Sequence, residues 1–101
     1  MMAPAYFRYR SARDALATSF ADNAARMTSA LMTISVLQET DFDSDDVWKT
    51  HKDIMSIGTK FGAGPAILEL GSISYTCSKI RKPTFEKLAN LICTQVERME
   101  R

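Results

Sequence analysis

Apolar residues recur along this chain at helical spacing, in four blocks separated by polar or glycine-proline corners. In the first block Leu16, Phe20, Ala24, Met27, Leu31 and Ile34 fall at gaps of four, four, three, four and three, the spacing of a buried stripe on one helix face. Asp22, Asn23, Arg26, Ser29 and Thr33 occupy the opposite face. Ser11-Ala12-Arg13-Asp14 resembles a capping box with an acid in the glutamate position, so the pattern predicts a helix from there to about Gln38. Toward its end Met32, Val36 and Leu37 widen the stripe, and a helix that is apolar on more than one side must be covered on more than one side. At a length of about 40 Å from the 1.5 Å rise per residue, this helix is long for so small a domain. Either it breaks or its overhang packs on a partner chain.

The second block sets Val47, Trp48, His51, Ile54, Met55, Gly58 and Phe61 on one face and Lys49, Lys52, Asp53 and Lys60 off it, which predicts a helix over 45–61. Asp43 or Ser44 is placed to cap it, with Asp45 and Asp46 in its positive first turn. Gly58 in mid-helix costs about 1 kcal/mol relative to alanine, which marks a close helix-helix approach, expected beside Trp48 or Phe61. Phe61-Gly62-Ala63-Gly64-Pro65 then reads as a tight corner, with Gly62 free to adopt a left-handed conformation and Pro65 suited to a first helical turn. A third helix to Arg81 carries Ala66, Leu70, Ile73, Cys77 and Ile80 inward, widened by Ile67. Its Gly71, Ser72, Ser74, Thr76 and Ser78 are small enough for a neighbouring helix to approach closely. Pro83 opens the last helix, with Phe85, Leu88, Ile92, Val96 and Met99 as its seam. No segment alternates as a strand does. The expected fold is all-α: a four-helix bundle with a long N-terminal helix that dimerises. Residues 1–10 form an N-terminal arm and 11–101 a single helical-bundle domain.

Composition narrows the function classes. With 101 residues, 46% of them apolar, and a net charge of +1, the chain can bury a modest core and carries no global field toward nucleic acid or acidic lipid. Its apolar runs are only a few residues long, so no membrane partner is expected. Cys77 and Cys93 form no CxxC, and with one histidine there is no metal constellation. They are expected as reduced thiols in a cytoplasmic protein, a disulfide being the alternative. The chain has no glycine-rich phosphate loop, and no cofactor is expected.

His51, the sole histidine, is the one candidate for chemistry. It precedes Gly62-Ala63, and Ala66-Ile67-Leu68 runs on to Cys77. Over about residues 47–82 this arrangement resembles the histidine-phosphotransfer domains of phosphorelays, which are four-helix bundles with one reactive histidine on the second helix. The resemblance implies His51 as phosphoacceptor, with Lys49 or Lys52 as the nearby cation. Ile54 and Met55 stand where that family has lysine and glycine, and His51 lies within the apolar face of its helix. The connector 39–46 is rich in acids. Asp43-Ser44 resembles the phosphopantetheine-bearing dipeptide of carrier proteins, but Asp45 follows where they have an apolar residue. The alternating acids resemble an EF-hand without its glycine and closing glutamate. Helix capping is the simpler account of both.

Arg8, Arg10 and Arg13 interleave with Tyr6, Phe7 and Tyr9, and Lys79, Arg81 and Lys82 cluster at the end of the third helix. Such groups can grip phosphates and stack on bases. An arginine-rich start also suits a transit segment, or a frayed terminus whose aromatics cover the bundle's end. The function expected first is that of a non-enzymatic helical interaction or regulatory protein, a homodimer that binds a protein partner through Leu31, Met32, Val36, Leu37 and Trp48. Adaptable methionine-rich faces support it. Phosphotransfer through His51 is the second reading, and nucleic-acid binding through the basic residues is the third.

Overall fold

Pro4 opens the first helix. The computed structural model describes residues 3–17, 22–62 and 71–100, whose regular elements are all helices, with no strand among them. The helices are α1 (Pro4–Leu16), α2 (Asn23–Ser35), α3 (Asp45–Gly58), α4 (Ser72–Lys79) and α5 (Lys82–Met99), with one 3₁₀ turn at Glu39–Asp41. The radius of gyration, 13.2 Å, is that of a compact domain of this length.

The long first helix is two helices, and the arm is not an arm. Residues 4–10 form the first half of α1, and Ser11 to Asp14 lie inside that helix rather than capping it. Proline at the first position needs no N–H partner, so α1 starts there without a side-chain cap. The chain then breaks before Asn23, where the Asp22 carboxylate accepts a hydrogen bond from the Ala25 N–H at 2.8 Å and caps α2. The Arg26 guanidinium reaches back to the Leu16 carbonyl at 2.8 Å, satisfying an acceptor at the end of α1. The apolar stripe passes through the break unaltered, because α1 and α2 fold back on each other and face the same core. Phe20, within that stripe, lies outside the described residues.

α1 packs between α2 and α5, α3 closes against α5, and α4 packs on α2. The fully buried side chains include Tyr9, Met27, Leu31, Ile34, Ile54, Leu88, Ile92 and Val96. Met27, Leu31, Ile34, Val47, Ile54, Leu88, Ile92 and Val96 lie where the spacing put them, on the inward stripes of α2, α3 and α5. The third helix is described only from Ser72. Ala63 to Leu70, including the Gly64-Pro65 corner, lie outside the described residues. Gly62 takes φ +66°, a conformation that disfavours any other side chain. Beside it the Phe61 N–H donates to the buried Thr76 hydroxyl at 3.1 Å, tying the corner to α4.

Gly58 does mark a close approach, but to Leu31 of α2 rather than to Trp48 or Phe61. A Cβ built there would stand 2.7 Å from Leu31 Cδ1. Gly58→Ala gains at most about 1 kcal/mol of helix propensity and loses about 1–3 kcal/mol to overpacking. We expect net destabilisation of about 1 kcal/mol in urea unfolding. Leu31→Ala should absorb the added methyl, so the double variant is less destabilised than the sum of the singles. Strict additivity would rule out the contact as the cause.

Candidate functional site

Two features stand out: a polar cluster inside the core and an uncharged helix face on the outside. The cluster joins three helices. Tyr9 of α1, fully buried, places its hydroxyl 2.6 Å from Nδ1 of His51 on α3. Gln95 of α5, also fully buried, donates from Nε2 to the Val47 carbonyl in the first turn of α3 at 2.9 Å. Its Oε1 is buried without a hydrogen-bond partner among the described residues. Around the imidazole stand Trp48, stacked at 5.6 Å, Phe42 at 5.0 Å and the Tyr9 ring at 5.7 Å.

These surroundings fix the protonation state. Burial lowers the His51 pKa to about 4, because an apolar shell disfavours the imidazolium. Burial pushes the Tyr9 hydroxyl above its ordinary range, with a hydrogen bond from Gln95 opposing in part. Both groups are neutral at pH 7, and one hydrogen bond joins them, its direction set by the imidazole tautomer. The cluster sets the register of α1 and α5 against α3. It holds no polarised nucleophile and no charged base. His51 is 3% exposed, which leaves too little surface for phosphoryl transfer from another protein. Lys52, suggested as the accompanying cation, lies over the Trp48 ring at 5.6 Å.

The outside face belongs to α2. Ala25, Ser29, Met32 and Val36 are exposed at gaps of four, three and four, Met32 by 57% and Val36 by 59%. No residue from Met27 to Gln38 carries a charge. Of the five expected interaction residues, only Met32 and Val36 are presented here. Leu31 and Leu37 are core residues, since the widened stripe is partly covered by the protein's own helices. Trp48 is half-buried over His51.

The basic residues do not form one surface. Arg8 and Arg10 are exposed on α1 and Arg13 is half-buried. The Tyr6 hydroxyl donates to Glu100 at 3.3 Å, placing the start of α1 beside the end of α5. The Arg26 guanidinium, bonded to the Leu16 carbonyl and lying over Phe85, places the end of α1 toward the start of α5, so Arg8, Arg10 and Arg13 are strung along α5 while Lys82 stands at its start. Lys79 and Arg81 line a groove of 290 Å³ with Lys60, Phe61, Ile80 and Pro83. Lys82 lies 4.0 Å from Glu86 in an exposed pair.

Comparison with protein-family models, characterised proteins and solved structures finds no match. The site therefore rests on its own geometry. Cys77 is buried, its thiol pKa raised by burial and partly offset by a hydrogen bond with Thr28, and Cys93 is half-buried. Both are free thiols. No described helix is long and apolar enough to cross a membrane.

Tyr9 and Gln95 escaped the sequence reading as functional positions. The signal for them was present. Ala5, Tyr9, Ala12 and Leu16 repeat the gaps of four, three and four, and so do Leu88, Ile92, Gln95 and Met99.

Proposed function

We propose that the chain is a non-enzymatic helical interaction protein that acts by protein-protein binding through the outer face of α2, as a homodimer. The observation that carries this reading is the uncharged stripe of α2, with Met32 and Val36 one turn apart and more than half exposed. Large apolar side chains grouped on an otherwise uncharged helix face favour a helical partner over water. The interior supports a non-enzymatic reading: Tyr9 and His51 are neutral, bonded to each other and buried away from any substrate.

Met32→Glu with Val36→Glu tests it. Light scattering behind a sizing column, over a concentration series, should show the wild-type mass rising toward twice the monomer and the double variant staying at the monomer. Both positions are exposed, so the helical circular dichroism and the melting temperature should be close to wild type. A wild-type chain that holds the monomer mass at every concentration up to about 1 mM, where only contacts weaker than about −4 kcal/mol go undetected, would remove the reading.

A further inference from the structure

The groove beside Pro83 brings three cations together from separate parts of the chain. Lys60 and Phe61 belong to the turn that follows α3, Lys79 is the last residue of α4, and Arg81 stands at the step into α5. All three cations are exposed. The turn is fixed against α4, because the Phe61 N–H donates to the hydroxyl of the fully buried Thr76. Lys60 Nζ lies 5.6 Å from the centre of the Phe61 ring, and Lys79 Nζ lies 5.5 Å from that of Tyr75. An aromatic ring beside each ammonium limits how far it strays. Among the described residues that line the groove there is no carboxylate. Lys82 differs from the three: it lies beside Glu86 and lines the neighbouring hollow of 210 Å³ instead.

We propose that this groove binds a small organic phosphate that carries a planar ring, of mononucleotide size, with its phosphates among Lys60, Lys79 and Arg81 and its ring against Phe61. A concave site lined by one sign of charge focuses its field and concentrates counter-ions there. Lysine meets a phosphate as a point charge, and arginine meets it with a planar fork of N–H donors. Phe61 supplies the second half of the recognition. It is a large apolar side chain, yet it is 47% exposed and forms part of the groove wall. A ring in that position, next to cations, suits a ligand that is flat at one end and anionic at the other. The groove's volume of 290 Å³ stands at the small end of ligand pockets, which begin at about 300 Å³. One nucleotide therefore matches it, and most of a longer strand would lie outside. The groove shares no residue with the face of α2 proposed above for pairing, so the site stands whether or not the chain dimerises.

Calorimetric titration of ADP into the full chain, with amide chemical-shift mapping, tests this. ADP should bind with a dissociation constant below about 1 mM, and the shifts should concentrate on residues 60–62 and 79–84. Adenosine and inorganic pyrophosphate should each bind about tenfold more weakly, since each carries half of the recognised chemistry. Lys60→Ala, Lys79→Ala and Arg81→Ala should each weaken ADP about tenfold. Phe61→Ala should weaken ADP about tenfold and leave pyrophosphate unchanged. All four side chains are exposed, so these variants should fold. Lys82→Ala removes the same charge outside the groove and should leave ADP binding within about twofold of wild type. No shifts at about 5 mM ADP, or an equal loss from Lys82→Ala, overturns the site. Pyrophosphate binding as tightly as ADP overturns the planar ring and leaves a site for the anion alone. A single-stranded oligouridylate bound about a hundredfold tighter than ADP overturns the small ligand in favour of a nucleic-acid strand.

Discussion

Deleting residues 1–10 should abolish cooperative unfolding. The segment supplies Ala5, Tyr6 and Tyr9 to the core, with Tyr9 fully buried between α2, α3 and α5. Truncating a buried aromatic residue costs about 3–5 kcal/mol, and a domain of this size is stable by about 5–15 kcal/mol. Losing two such residues together with half of α1 therefore removes most or all of the stability. The shortened chain should show helical far-ultraviolet circular dichroism with a weak near-ultraviolet signal and a broad thermal transition. Two point variants separate packing from hydrogen bonding. Tyr9→Ala should cost about 3–5 kcal/mol. Tyr9→Phe keeps the ring but strands His51 Nδ1 in the core, and should cost about 1–3 kcal/mol. A shortened chain that still melts sharply within a few degrees of wild type would mean that residues 1–10 are dispensable to the fold.

The helical class and the inward stripes of α2, α3 and α5 were legible because period is written locally, one side chain per 100° of turn. The break between α1 and α2 was not. The stripe through Leu16 and Ala24 keeps its spacing whether the chain continues or folds back, since both packings bury the same face. Asp22 was read as an ordinary polar-face residue, and only in the folded chain does its carboxylate meet the Ala25 N–H. The same ambiguity turned α1 into an arm. Its arginines and aromatics look alike whether exposed or buried, although Tyr9 keeps step with Ala5, Ala12 and Leu16. Gly58 was recognised as a contact, but its partner lies 27 positions away in sequence, on α2, and spacing within α3 says nothing about that. For the outer surface, the widened stripe of α2 was visible. Which of its members face out depends on where α1, α4 and α5 lie, and that sorted Met32 and Val36 from Leu31 and Leu37.

Acidification should cost this protein about 2 kcal/mol at pH 5 and about 3 kcal/mol at pH 4 through His51 alone. The imidazole has a pKa of about 4 in the folded chain against an ordinary 6.5. Between these values the unfolded chain binds the proton and the folded chain does not, so stability rises with pH across that window and falls as pH drops through it. Above about pH 7 both states are neutral there and the dependence vanishes. The groups that face the ring explain why no charge is tolerated. They are the Tyr9 hydroxyl from α1, Phe42 from the connector and Trp48 on α3, with the Gln95 amide beside Tyr9 from α5. No carboxylate among the described residues is hydrogen-bonded or ion-paired to His51. Protonation would also leave Nδ1 able only to donate across the 2.6 Å contact, so that the Tyr9 hydroxyl must accept there. Surface carboxylates titrate in the same range, so the measurement is a difference. His51→Asn places an amide oxygen near the position of Nδ1, retains an acceptor for Tyr9, and cannot titrate. Urea unfolding of both proteins at pH 7, 5 and 4 should show the wild type losing about 2–3 kcal/mol more than the variant over that range. Parallel losses in the two proteins would mean that the ring reaches water or a carboxylate on protonation and that the cluster opens at little cost.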